Sequence, residues 1–366
     1  MTAATATVRT LTHYALLGRG GLRVSPLALG AMTFGQGAGA ETAREMVVRY
    51  LDAGGNFIDT ANGYAEGRSE EALGAILRDM GSRDRVVLGT KFSAPTDPTD
   101  PNAFGNGRKN LVASLDASLR RLQTDYVDLY WLHLWDGMTP VEEVMGTFDA
   151  LVRSGKVRAV GLSNVPAWYA ARAHTLATLR GWEPVTALQL EYSLVEREIE
   201  REHIPAALDL GMGVVPWSPL ASGFLSGKYA RGEAGPEGEG RLSRPPYTDS
   251  TLRRFRRHEG DREWALLDAV REVAAAVGRS PAQVAINWVT RRPGVSSTLI
   301  GASDVAQLSV NLAALDFELP PELVARLDET SRPEQVSPYR VFDPELRRMF
   351  LAGRYEVQPA PRWSGV

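Results

Sequence analysis

The chain has 366 residues, 44% of them hydrophobic and 23% charged, with a formal net charge of -3 and no cysteine. That length suits one large α/β domain or two small ones, and the near-neutral charge gives no electrostatic case for nucleic acid or an anionic membrane surface. Without cysteine there is no disulfide framework, thiolate nucleophile or Cys-based metal site, which agrees with a cytoplasmic setting.

Residues 1–7 are small and polar and no long apolar segment follows, so a disordered start is expected over 1–12, with neither a signal peptide nor a membrane span. Residues 14–24 read as a small hairpin around Gly18-Arg19-Gly20-Gly21. No Lys-Ser/Thr follows those glycines, which excludes a phosphate loop.

From Leu27 the chain alternates. A first apolar run, 27–32, leads to a helix up to about 53, opened by a capping box at Thr42-Ala43-Arg44-Glu45. The second run, 56–58, ends in Asp59-Thr60-Ala61-Asn62-Gly63-Tyr64, and a helix follows over 69–80. The third strand, 85–91, ends on Lys91. A helix over 109–122 carries Leu111, Leu115, Leu119 and Leu122 at helical spacing. The fourth strand, 127–133, ends on His133, and Thr139-Pro140-Val141-Glu142 combines a capping box with Pro at the first helical position.

Strands over 157–163, 185–190 and 213–217 then alternate with helices over 166–179 and 202–210. Residues 231–261 are rich in Gly, Pro and charge, and too long for an ordinary connection, which points to a lid or mobile loop. A helix over 264–277, a second opened by Ser280-Pro281-Ala282-Gln283, an eighth strand at 297–300 and a helix over 304–315 complete the series. Residues 321–366 form a C-terminal extension. Eight strands alternating with helices predict a (β/α)8 TIM barrel as one domain, with an N-terminal hairpin and a long loop after strand seven. A Rossmann domain is disfavoured, because no GxGxxG follows the first strand.

Barrel enzymes carry their chemistry at the C-terminal strand ends. Those ends present Asp59, Lys91, His133, Ser163-Asn164, Gln189 with Tyr192, and Trp217-Ser218, while Tyr64 lies in the loop above. Each has a structural reading alone, but an Asp, a Lys and a His from three adjacent strands must converge on one mouth. Tyrosine, with a reference pKa of about 10, is a poor proton donor near neutral pH unless a cation stands beside it. Lys91 supplies that cation and Asp59 compensates its burial, while His133 is placed to orient a carbonyl. None of the four supplies a hydride, so a cofactor is required.

With these residues in place, the chain resembles the aldo-keto reductase family, in the branch of potassium-channel β subunits and aryl-alcohol dehydrogenases. The resemblance runs from about Leu17 to Leu315. It rests on 27–35, the Asp59–Tyr64 run with Ser69-Glu70, and Thr90-Lys91. It continues through 128–133, Gly155-Lys156-Val157-Arg158, Gly161-Leu162-Ser163-Asn164, Trp217-Ser218-Pro219-Leu220 and Ile300-Gly301-Ala302-Ser303. It implies Asp59, Tyr64, Lys91 and His133 as a catalytic tetrad and NADPH as cofactor, with NADH as the alternative. It also implies that Ser163, Asn164 and Gln189 bond the nicotinamide carboxamide and that Tyr192 stacks on its ring. Trp217, Ser218, Pro219, Leu220, Gly223, Leu225 and Lys228 resemble the segment over the pyrophosphate, and Gly301, Ala302, Ser303, Gln307 and Asn311 the adenosine end. Many relatives carry Arg or Lys where Ser303 stands, which leaves NADH in play.

Phe34, Trp135 and Trp168, with Tyr339, Phe342 and Phe350 of the tail, are candidates to wall an apolar substrate pocket. The Arg253-Arg254-Phe255-Arg256-Arg257 run reads as a solvated helix face rather than a phosphate clamp. The expected activity is reduction of an aldehyde or ketone, with an aryl or alkyl aldehyde or a keto or enoyl sugar of secondary metabolism as substrate. A cofactor-binding regulatory subunit with little turnover is the alternative. A glycosidase using Asp59 and Glu191 would leave Lys91 and His133 unexplained.

Overall fold

The computed structural model describes residues 8–232, 235–237, 239–243, 260–342, 346 and 349–350. The chain divides into two compact units, 1–331 and 332–366. In the first unit, β1 (Ala15–Leu16) and β2 (Arg23–Val24) pair antiparallel as the expected hairpin. Eight parallel strands then follow in chain order: β3 (Leu27–Gly30), β4 (Phe57–Asp59), β5 (Val87–Phe92), β6 (Val127–Leu132), β7 (Val157–Ser163), β8 (Val185–Glu191), β9 (Gly213–Trp217) and β12 (Thr298–Ile300). Between the last two lies a small antiparallel pair, β10 (Ala230–Gly232) and β11 (Gly235–Glu237). β12 pairs with β3, and the ring is completed where Val214 N–H donates to the Gly294 carbonyl and Ser296 N–H to the Val214 carbonyl, each at 2.9 Å. This is a (β/α)8 barrel.

The helices are α1 (Ala40–Asp52), α2 (Arg68–Asp79), α3 (Arg108–Leu122), α4 (Val141–Arg153), α5 (Ala167–Arg180), α6 (His203–Leu210), α7 (Asp261–Val277), α8 (Pro281–Thr290), α9 (Val305–Leu312) and α10 (Pro321–Thr330). The capping box at Ser280 forms as expected, with both reciprocal bonds to Gln283. The other two do not. Extended Gly39 starts α1 at Ala40, which leaves Thr42 inside the first turn. Thr139 Oγ1 donates to the Asp136 carboxylate at 2.6 Å, which orients the hydroxyl without a bond from the helix N–H groups, and Pro140 becomes the cap residue rather than the first helical one.

The hairpin plugs the N-terminal end of the barrel: Leu17 and Val24 are wholly buried with Ala28, Phe57, Val87 and Leu129 in the interior. Gly18 (φ 60°) permits the close approach, because a Cβ there would lie 2.5 Å from the Thr186 carbonyl oxygen. A larger apolar shell lies between strands and helices. Sealing one end with hydrocarbon leaves the C-terminal end as the open mouth.

The expected extension begins later than 321, since α10 belongs to the first unit. Within the second unit, residues Tyr339–Phe342 form a 3-10 turn whose two rings stand 6.2 Å apart; Phe342 and Phe350 are exposed. Most of the expected lid, including Arg253 to Arg257, lies outside the described residues. Among the described residues no helix is long and apolar enough to cross a membrane.

Candidate active site

Strand side chains alternate between barrel interior and helix shell, and that alternation decides which of them share the mouth. The interior holds Phe57, Val87, Leu129, Ala159, Ala187 and Val215. Stepping by two toward the C-terminal ends reaches Asp59, then Gly89 and Lys91, Trp131 and His133, Gly161 and Ser163, Gln189 and Glu191, and finally Trp217. The phase built by an apolar interior therefore delivers charge to its open end.

Asp59 and Lys91 are wholly buried. Lys91 Nζ donates to Asp59 Oδ2 and, at 2.8 Å, to the Thr60 carbonyl; Gln189 Nε2 donates to Asp59 Oδ1 at 3.2 Å. Burial raises the Asp59 carboxyl above the ordinary carboxylate range, and Lys91 offsets only part of that penalty. Burial also works to lower the Lys91 ammonium, but Asp59 and then Tyr64 hold it above the ordinary lysine range. The pair is a dry, protonated lysine held by a carboxylate.

Tyr64 stands half-buried in the turn Tyr64–Gly67. Its ring lies 5.0 Å from Lys91 Nζ and meets the His133 ring edge-on, with centroids 5.8 Å apart. The loop is fixed by Thr60 N–H to the Gly89 carbonyl at 2.9 Å and Asn62 N–H to the Lys91 carbonyl at 3.1 Å, which continue the β4–β5 ladder past the strand end. Ala65 and Glu66 then adopt left-handed backbone, turning the chain sharply into α2. His133 is pushed down to about 3, by burial and then by the Lys91 charge, so its imidazole is neutral across the physiological range. The four predicted side chains thus meet at one place.

Three further residues make this geometry feasible. Trp131 fills the barrel beneath the ion pair, its indole N–H standing close to Asp59 without completing a well-formed hydrogen bond. A Cβ on Gly89 would lie 2.8 Å from Asp59 Oδ1, and one on Gly161 would lie 2.3 Å from the Trp131 ring. The pairing of β7 with β8 shifts register at Val160/Gly161, beside that ring. Isolated glycines inside two strands were the available sequence signal of close approach.

The predicted cofactor residues fall into two groups. Ser163 and Gln189 point into the barrel beside the ion pair. Asn164, left-handed at φ 51°, ties three strand ends: Nδ2 donates to the His133 carbonyl at 2.9 Å and to Ser163 Oγ at 3.0 Å, and Oδ1 accepts from Trp217 Nε1 at 3.1 Å. Tyr192 is a correction. It is one residue out of phase with Gln189 and Glu191, so it points into the helix shell. There it is wholly buried, donates to Glu200 at 2.5 Å and packs on Trp288 at 5.6 Å, out of reach of a ligand in the mouth. The aromatic ring that is in phase is Trp217, partly exposed and fixed by Asn164.

After β9, Ser218, Ala221, Ser222 and Gly223 all have positive φ, and Ser222 N–H donates to Ser218 Oγ. These left-handed turns fold the segment back on itself, the N–H groups of Ala221 and Gly223 donating to the Ser218 and Leu220 carbonyls at 2.8 and 2.9 Å. Pro219 and Leu225 are buried, whereas Lys228 is exposed and lines a hollow of about 500 Å³ with Arg231, Asp268 and Arg271. Gly301 and Ser303 are exposed, with open space where a Gly301 Cβ would stand. Gln307 accepts from Ser303 Oγ at 2.9 Å, Asn311 donates to the Gly301 carbonyl at 3.1 Å, and Ala302 is buried with its carbonyl held by Thr33. An exposed cation and small residues with open space around them fit an elongated, anionic dinucleotide.

Of the three pocket candidates, Phe34 is wholly buried in the helix shell and presents no surface to a substrate. Trp135 and Trp168 lie edge to face, 5.6 Å apart, and Trp168 is 55% exposed. The glycosidase reading loses its acid, because Asp59 is sealed from solvent and paired.

The profile of the Aldo/keto reductase family matches residues 26–332. An uncharacterised oxidoreductase of Bacillus subtilis, YrpG, is 37% identical over 325 residues, covering 87% of this chain and 95% of that protein. The aryl-alcohol dehydrogenase [NADP(+)] of Phanerodontia chrysosporium is 32% identical over 363 residues, covering 93% and 92%. A probable voltage-gated potassium channel subunit beta of Oryza sativa is 36% identical over 341 residues, covering 90% and 100%.

Proposed function

The chain belongs to the aldo/keto reductase family and is an oxidoreductase, and from that premise we propose that it is an NADPH-dependent carbonyl reductase in which Tyr64 transfers the proton. The observation that carries the reading is the meeting of the Tyr64 ring with Lys91 Nζ on one side and the neutral His133 ring on the other. When bound, the nicotinamide cofactor supplies the hydride.

The remaining work falls to the protein. Asp59 keeps the Lys91 ammonium charged in a dry site. The ammonium stabilises negative charge as it develops on the phenol oxygen during proton transfer to the carbonyl oxygen. His133, kept neutral, is free to donate one hydrogen bond to that same oxygen and hold it against Tyr64. Ser163 and Gln189 would hold the carboxamide of the cofactor, Trp217 rather than Tyr192 its ring, and the Ser218–Lys228 segment its phosphates. The resemblance to an NADP(+) enzyme favours NADPH over NADH. Asp304 opposes an anion, yet its carboxylate is engaged as the cap of α9, accepting from Gln307 N–H at 2.8 Å.

Tyr64→Phe keeps the ring contacts and removes the proton. We expect NADPH oxidation with a panel of aldehydes and ketones to fall by about 10²–10⁴-fold, with NADPH affinity unchanged by fluorescence titration. A fully active variant would refute the role. The rice relative supports a second reading, a regulatory subunit that holds the cofactor with little turnover. A stable complex with another protein, together with negligible oxidation across the panel, would favour it.

A further inference from the structure

Resting on the carbonyl-reductase reading, we propose that Ser93, two residues past Lys91, is a positioning residue that locks the end of β5 and with it the geometry of proton transfer. Three successive carbonyls at that end face three different segments. The Lys91 carbonyl accepts from Asn62 N–H at 3.1 Å, the Phe92 carbonyl from His133 N–H at 3.0 Å, and the Ser93 carbonyl from Gly105 N–H at 2.9 Å. Tyr64 lies two residues beyond Asn62, so Tyr64 and His133 both hang from this one strand end. A turn of the 91–93 backbone would shift Lys91, Tyr64 and His133 against one another.

Ser93 has φ 111°, a conformation that residues with a Cβ rarely adopt. Such strain persists only where the surroundings over-determine it. Here they do. The buried Ser93 hydroxyl donates to Asn106 Oδ1 at 2.8 Å, and Asn106 N–H donates to Asp136 Oδ2 at 2.9 Å, in the loop after His133. Asn110 Nδ2 donates to the Gly105 carbonyl at 2.8 Å, and Asn110 Oδ1 accepts from Ser114 Oγ at 3.0 Å. That hydroxyl accepts in turn from Asn62 Nδ2 at 3.4 Å. A circuit of buried polar groups therefore runs from the Tyr64 turn through α3 to the strand ends of Lys91 and His133. It is not arranged for stability. Asn62 Oδ1 and Asn106 Nδ2 are buried and find no partner among the described residues, and a half-satisfied polar network is worse for stability than an apolar core. Strained backbone and orphaned amides beside a catalytic group mark a geometry held against stability.

The test is Ser93→Gly, which accepts this φ without strain and removes the bond to Asn106. By NADPH oxidation, kcat should fall about five- to twentyfold for benzaldehyde and n-butanal alike, with KM for NADPH within about twofold and the urea midpoint not lowered. Asn62→Ala cuts the far arm of the circuit and should lower kcat in the same way. Ser118→Ala is the control: this serine is also buried on α3, but it faces Arg121, at 3.5 Å, and kcat should not change. A second readout needs no turnover. Among the five histidines, the ring C–H resonances lost in His133→Asn belong to His133, which stands against the Tyr64 ring and feels its ring current. In Ser93→Gly and Asn62→Ala they should move toward their positions in Tyr64→Leu, and in Ser118→Ala they should stay. A lowered midpoint in Ser93→Gly, a kcat within about twofold of an active wild type, or a His133 resonance that stays put would each overturn the role. If wild type reduces neither aldehyde yet the resonances move as stated, the reductase reading fails and the positioning role of Ser93 stands.

Discussion

Strand β5 runs between two buried carboxylates, one on each of its faces. On the barrel side Lys91 meets Asp59, and all of both side chains is withdrawn from water. On the helix side the preceding residue, Thr90, donates to Glu70 at 2.5 Å, and Arg121 of α3 donates to the same carboxylate at 2.7 Å. Glu70 is wholly buried, but Arg121 remains 23% exposed. The outer pair joins α2 to α3 and keeps its cation at the water's edge, which limits the cost of desolvation. The inner pair has no such outlet. A sealed ion pair is no better for stability than well-packed hydrocarbon, so stability alone gives it no reason to exist. Its lysine faces Tyr64, and that is the reason the geometry offers.

The sharpest way to break this comparison is to remove the cation from each side. Lys91→Met strands Asp59 in a dry interior and should cost about 3–5 kcal/mol, read by urea unfolding, with reductase activity down by at least about 10²-fold. Adding Asp59→Asn should restore much of the stability and none of the activity. Arg121→Met leaves Glu70 near a route for water. We expect about 2–3 kcal/mol, with kcat for any aldehyde substrate within about threefold of wild type. If both single variants lost activity alike, the two faces would not differ in kind.

Neighbouring residues sharpen the contrast. Gly89→Ala pushes a methyl against the Asp59 carboxylate and should cost about 1–3 kcal/mol. Activity should fall with it, because the carboxylate must shift under Lys91. Thr90→Val, one position on, removes the bond to Glu70 at about 1.5–2 kcal/mol. Since it faces the helices, kcat should stay near wild type. Melting curves and steady-state assays on the two variants separate the effects.

Much of this was legible in the sequence. The strand ends named themselves, because apolar runs punctuated by turns and capped helices repeat eight times, and Asp59, Lys91 and His133 each close such a run. Tyr192 stands outside the mouth, because proximity to a strand end says nothing of which way a side chain points. The two-residue phase from Ala187 through Gln189 to Glu191 excludes it, and the same phase selects Trp217. Phe34 was misplaced for a related reason: an aromatic just past β3 can turn outward into the helix shell, and only packing decides. Thr139 is no cap, because α4 starts one residue later, behind Pro140, and Asp136, three residues earlier, takes the Thr139 hydroxyl proton. The support from Trp131 has only the lone glycines at 89 and 161 as its signature in the sequence, since they mark strands that something large approaches.

The smallest expected effect is a difference in pH response between the two faces. In the unfolded chain the His133 imidazole binds a proton near pH 6.5, whereas in the folded barrel burial and Lys91 push it down to about 3. Between those values the unfolded state holds the extra proton, so stability falls as pH falls, with a limiting slope of about 1.4 kcal/mol per pH unit. About a pH unit above 6.5 both states are neutral and the His133 slope vanishes. His133→Asn abolishes this titration while leaving Glu70 and Arg121 untouched. Unfolding free energies of wild type and variant, measured at half-unit steps from pH 8.5 to 5, should therefore run parallel above about 7.5 and converge below it, by roughly 1 kcal/mol over the last unit. Taking the difference cancels the other histidines, including His174, which burial also lowers. Parallel curves throughout would mean that the mouth hydrates freely enough for His133 to titrate as in water. In that case the dry environment that separates the inner face of β5 from the outer would not exist, and Lys91 would have no sealed site in which to act on Tyr64.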